Sequence, residues 1–139
     1  MARIMAIDYG TRRCGIAVTD EFQIIATPLT AVAGSDLRNW LRQYFAAEKV
    51  SMVIIGMPLN LDGSNTHATK PVKDFIRLFK KDHPLMPIHE VDEQFTSKLA
   101  QRALIDSGIS KKARQNKALV DQTAAAIMLQ EFLEQQSKA

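Results

Sequence analysis

Apolar and β-branched residues dominate positions 3–9 and 13–19, and the polar "GTR" between them marks a β-hairpin. A third strand is expected within "FQIIATPLTAV" (22–32), where Pro28 puts the later part at a sheet edge or a bend. In "GSDLRNWLRQYFAAEK" the apolar residues Leu37, Trp40, Leu41, Tyr44 and Phe45 recur at three and four, predicting an amphipathic helix capped by Ser35 or Asp36. "VSMVIIG" (50–56) is continuously apolar, as a strand buried on both faces would be.

A turn-rich "MPLNLDGSNT" follows, and then a helix through "VKDFIRLFKK" with Phe75, Ile76, Leu78 and Phe79 on its buried side. Pro71 suits the first turn of that helix. "MPIHEVDE" (86–93) reads as the next strand, and "TSKLAQRALIDSG" as a capped helix stopped by Gly108. "ISKKARQNK" is a polar basic connection, and "ALVDQTAAAIMLQEFLEQQ" is a long final helix. The resulting order, β-β-β-α-β-α-β-α-α, implies a mixed α/β sheet covered by helices, with the later strands parallel.

A chain of 139 residues suits one domain over 1–139, and 46% apolar with 24% charged residues excludes a disordered chain. The net charge of +3 tilts the surface toward anionic partners, nucleic acid among them. The N-terminus has neither the charge pattern nor the apolar length of a signal peptide, and no stretch is apolar enough to span a membrane. Cys14 is the sole cysteine, within an apolar strand pattern. It reads as a buried, inert thiol in a cytoplasmic protein, and it excludes an intrachain disulfide or a cysteine-rich zinc site.

Three acids fall where such a sheet brings strand ends together. Asp8 ends the first strand, "VDE" (91–93) ends the strand before "QFTS", and Asp121 lies near the start of the last helix. Clustered carboxylates repel one another unless a cation lies between them, and hard oxygen ligands suit Mg²⁺ or Mn²⁺. Each acid also has an ordinary reading: a turn residue at Asp8, surface charges at Asp92 and Glu93, a macrodipole partner at Asp121. Asp121 is the most telling, because it interrupts an otherwise apolar run from Ala118 to Leu129.

Basic residues accompany the acids. Lys111, Lys112, Arg114 and Lys117 lead toward Asp121, and Arg12 and Arg13 sit in the first hairpin, a distribution suited to phosphate contacts. "GMPLNLDGSN" offers Asn60, Gly63, Ser64 and Asn65 after a strand, but lacks the lysine of a nucleotide-hydrolysing phosphate loop. His67, His83 and His89 have no metal-ligand spacing and read as surface or packing residues.

Four blocks, "AIDYGTRRCGIAVTD", "IIGMPLNLDGS", "VDEQFTS" and "KALVDQTAAAIMLQEFL", resemble the YqgF family, also called RuvX, in the family's order and across almost the whole chain. The resemblance implies a ribonuclease H-like fold, with a mixed five-stranded sheet and helices on both faces. It also implies a metal-dependent nuclease site formed by Asp8, Glu93 and Asp121, holding Mg²⁺ or Mn²⁺ with Asp8 as the central ligand. Strand alternation alone leaves Asp92 and Glu93 open, and the family pattern selects Glu93. The family usually has Arg after that Glu. Gln94 here either weakens a phosphate contact or leaves it to Arg12 or Arg13.

The activity implied is trimming of the precursor of 16S ribosomal RNA by a monomer or homodimer. The competing expectations are a four-way DNA junction resolvase and a non-catalytic RNA-binding assembly factor. "DYGTRRCGIA" also resembles the first phosphate motif of actin-like kinases, but those need two domains, and this chain has room for one.

Overall fold

A computed structural model describes residues 2–58, 67, 69–93, 102–108, 110–114 and 116–137, with the backbone alone for Glu93, Ala113, Arg114 and Ser137. Five strands form one sheet: β1 (Arg3–Asp8), β2 (Arg13–Thr19), β3 (Ala26–Ala33), β4 (Val50–Pro58) and β5 (Ile88–Glu93). Their spatial order is β3-β2-β1-β4-β5. The β1–β2 and β2–β3 pairs are antiparallel, and β1–β4 and β4–β5 are parallel, as expected for a meander followed by helical crossovers.

The helices are α1 (Leu37–Ala47), α2 (Thr69–Asp82), a helical stretch at 102–106 (α3), the single turn α4 (Lys111–Arg114) and α5 (Lys117–Ser137). Gly108, at φ +80°, ends the α3 region in the left-handed conformation that glycine adopts without steric cost. No helix among the described residues is long and apolar enough to cross a membrane.

Strand alternation divides the core into two layers. Met5, Ile7, Cys14, Ile16, Val53 and Ile55 pack with Leu37 and Leu41 of α1 and with Val72, Phe75, Ile76 and Phe79 of α2. Ile4, Ala6, Ala17 and Ile54 pack on the opposite face with Ala125, Met128, Leu129 and Phe132 of α5. Val53, Ile54 and Ile55 have no accessible surface, so β4 is buried on both sides, as its continuous apolar run requires. His83 packs edge-on against Phe45, and His89 lies against Phe132, so both serve packing.

Four details depart from the sequence expectation. Leu78 is 39% exposed, whereas Val72 completes the buried stripe of α2. Asp36 occupies the cap position of α1 without a side-chain cap bond, because a 3₁₀ turn over Gly34–Asp36 delivers the chain instead. The basic connection contains a helical turn, α4. Asp121 is the fifth residue of α5 and lies beyond its first turn, where the macrodipole has largely faded, so its position calls for another reason.

Candidate nucleic-acid cleavage site

β1, β4 and β5 run parallel, so Asp8, Pro58 and Glu93 end at one edge of the sheet. Antiparallel β2 begins at that edge with Arg13. Asp8 has the strand parity of Ile4 and Ala6, which pack toward α5. Arg13 and Gly15 share parity with Ala17, also on the α5 side. Position 93 shares parity with Val91, packed in the same layer, and with His89 against Phe132. Position 92 has the other parity, and exposed Asp92 lines a pocket with Met128, Glu131, Phe132 and Gln135 of α5.

The approach of α5 is set at Gly15. Asp8 pairs with Gly15 across the β1–β2 ladder. A Cβ built on Gly15 would lie 2.0 Å from the Asp121 carbonyl oxygen and 2.8 Å from the Gln122 nitrogen. Only a residue without a side chain lets the helix backbone come that close. Fully buried Ala125, one turn along, packs in the same layer as Ala6 and Ala17. Gly15 thereby brings the backbone of Asp121 against the strand that pairs with the end of β1. Sequence reasoning passes over Gly15, although a lone glycine inside the strand pattern "RCGIAVT" is the usual signal of a close backbone approach.

Both carboxylates act on their neighbour Cys14. Burial, first of all, pushes its thiol up to about 11, and the charges of Asp8 and Asp121 push in the same direction, against a smaller lowering effect of the Gly10 backbone; its Sγ donates to the Gly10 carbonyl at 3.2 Å. Cys14 is completely buried and protonated at neutral pH, as an inert thiol should be. Tyr9, immediately after Asp8, stacks on Phe75 at 4.9 Å and anchors the strand end to α2.

Asp121 has a cationic partner within the chain: Arg13 Nε donates to its Oδ2 at 2.8 Å. The two side chains are 37% and 22% exposed, so the pair is worth about 0.2–1 kcal/mol and stays reachable by solvent ions. Arg12 is exposed at the same turn.

The start of α5 is held by Asn116, whose Oδ1 accepts from the amides of Ala118 and Leu119. Exposed Lys111 and Lys112 lie in α4 just ahead of that cap, and Arg114 closes α4. Lys117 lies one turn before Asp121 on the same helix flank. Thr69 Oγ1 donates to the Pro58 carbonyl at 2.7 Å, tying the start of α2 to the end of β4. The segment that carries Asn60 therefore leaves and returns at the edge that holds Asp8. Asn60 and Gln94 themselves lie outside the described residues, as do the side chains of Glu93 and Arg114.

Asp8 and Asp121 supply hard, anionic oxygens on one face, a donor set suited to Mg²⁺ or Mn²⁺ rather than to a soft metal. No group of three potential ligand side chains occurs among the described residues, and the side chain of Glu93 lies outside them.

A family model described as "RuvX: Holliday junction resolvase" matches residues 2–135. A protein from Flavobacterium psychrophilum named "Putative pre-16S rRNA nuclease" is 52% identical over 133 residues, 96% of this chain and 97% of its own. Relatives with the same name from Christiangramia forsetii and Bacteroides thetaiotaomicron are each 47% identical, over 96% of this chain and 98% and 97% of theirs. Among solved structures, Thermus thermophilus RuvC in complex with a Holliday junction substrate superposes with a TM-score of 0.59 at 13% identity, covering 100% of this chain and 98% of that one. That likeness carries the fold, which is ribonuclease H-like.

Proposed function

The chain belongs to the RuvX family, and from that membership we propose that it is a divalent-metal-dependent nuclease that hydrolyses phosphodiester bonds in the precursor of 16S ribosomal RNA. The observation that carries the reading is the close approach of the Asp121 backbone to Gly15, the cross-strand partner of Asp8. Asp8 is the central ligand, Asp121 contributes from α5, and Glu93 contributes from β5, whose position 93 has the matching parity. These carboxylates would hold Mg²⁺ or Mn²⁺, which when bound would supply activation of water and charge stabilisation at the leaving oxygen of a phosphodiester.

The rest of the chemistry belongs to the chain. Asp8, at the end of a central strand packed on both faces, holds its carboxylate in one place, so little reorganisation is needed when substrate arrives. Arg12, Arg13, Lys111, Lys112, Arg114 and Lys117 hold backbone phosphates around the acids, and Asn60 assists from the segment pinned by Thr69. Such contacts orient the strand and carry no base preference of their own, which suits a trimming enzyme guided by substrate shape. The protein works in the cytoplasm, where ribosomal precursors are processed.

Wild type and Asp8→Asn should be incubated in parallel with precursor 16S RNA and a four-way DNA junction, with and without Mn²⁺. The expected result is Mn²⁺-dependent RNA cleavage by wild type, abolished in a folded Asp8→Asn protein. Cleavage of the junction alone would replace the RNA assignment by a resolvase. RNA binding without cleavage, indifferent to the acids, would leave a non-catalytic assembly factor.

A further inference from the structure

A cation belonging to the chain itself already sits against one of the candidate ligands. Arg13 Nε donates to Asp121 Oδ2 at 2.8 Å, from the first residue of β2, at the sheet edge where Asp8 ends. A guanidinium stays charged at any pH the protein survives, so it leaves a carboxylate only by moving, never by losing its proton. The pair is partly solvent-exposed, with Arg13 at 37% and Asp121 at 22%, and it lacks the burial that would make it permanent. A divalent ion between two carboxylates gains more than a single positive charge beside one of them.

We propose that Arg13 is a resident counter-ion of the cation site. It holds Asp121 when no divalent ion is bound, gives that carboxylate up when one binds, and then turns its guanidinium to the substrate phosphate at the same edge. The inference rests on the nuclease reading above and assigns Arg13 a positioning role within it. Three consequences follow from one exchange. Arg13 relieves repulsion between Asp8 and Asp121 in the cation-free protein. It competes with the divalent ion for Asp121. Once freed, it offers phosphate a planar fork of donors, so that cation binding and phosphate binding strengthen each other.

The exchange is visible in wild-type protein by NMR. The Nε–H signal of Arg13, assigned as the one missing in Arg13→Lys, is expected to be protected from solvent exchange without cation. It should lose that protection as Mg²⁺ is added, in step with the carboxyl signals of Asp8 and Asp121, and shift again when a non-cleavable phosphorothioate RNA is added. Calorimetry should show Arg13→Gln binding Mg²⁺ roughly 1.5-fold to fivefold more tightly than wild type, the span expected for removing a pair of this exposure. In the presence of Mg²⁺ the same variant should bind the phosphorothioate RNA more weakly.

An Arg13 signal that stays protected while both carboxyl signals move with Mg²⁺ would overturn the exchange and leave the nuclease reading standing. Carboxyl signals that ignore Mg²⁺ would overturn both. Should Arg13→Gln fail to fold, the wild-type titration decides alone.

Discussion

Replacing Gly15 by alanine sets a methyl group 2.0 Å from the Asp121 carbonyl oxygen, and backbone cannot rotate out of the way as a side chain would. Either α5 moves outward or β2 bends. Overpacking of this kind costs about 1–3 kcal/mol, and the outward movement also carries Asp121 away from Asp8. Gly15→Ala is therefore expected to lower the unfolding midpoint and, more severely, Mn²⁺-dependent cleavage. A variant that loses stability but keeps full cleavage would show that Asp121 tolerates displacement. Arg13 matters for a different reason. Sequence alone makes it one more phosphate-binding cation, whereas the structure engages it with Asp121 at 2.8 Å, a pairing 108 residues distant along the chain.

At the scale of elements, the β2–β3 connection depends on Asp20. Its carboxylate accepts from the amides of Phe22, Ile24 and Ile25, closing a turn in which Gln23 takes a positive φ of 60°. Those amides, Ile25 foremost, hold the Asp20 carboxyl below its ordinary value. A carboxyl with a lowered native pKa binds its proton more readily in the unfolded chain. Its stabilisation is thus complete above the unfolded value of about 3.9 and is lost as pH falls through the lower native one. Asp20→Ala should lower the melting temperature at neutral pH, and its deficit relative to wild type should shrink steadily below about pH 4. A deficit constant across that range would place the role of Asp20 in its shape rather than its charge. Asp82, held low chiefly by its paired hydrogen bonds from Arg38, adds to the same acid sensitivity from the other face.

Over the whole molecule, the basic residues assigned to phosphates come from two separate pieces of chain, the first hairpin and the α4–α5 junction. If Arg12, Arg13, Lys111, Lys112, Arg114 and Lys117 each neutralise one phosphate of single-stranded RNA, the logarithm of affinity should fall against that of salt with a slope of about −4. Lys111→Gln with Lys112→Gln, measured in an Asp8→Asn background that leaves the RNA intact, should flatten it by about 1.4. An unchanged slope would place the polynucleotide elsewhere.

The order of strands and helices is legible in the chain because apolar periodicity is a local property. Val53 to Ile55 announce a buried strand, and Leu37 and Leu41 the inner stripe of a helix, before any partner is known. The acids are legible as candidates because charge is costly where an apolar run continues, as at Asp121. Which of them meet is decided only in three dimensions. The close approach of the Asp121 backbone to Gly15, the cross-strand partner of Asp8, depends on a missing Cβ. The hold of Arg13 on Asp121 depends on the same approach. Local sequence determines the elements and their chemistry; long-range packing determines which charges share a site, because no periodicity along the chain records a distance across it.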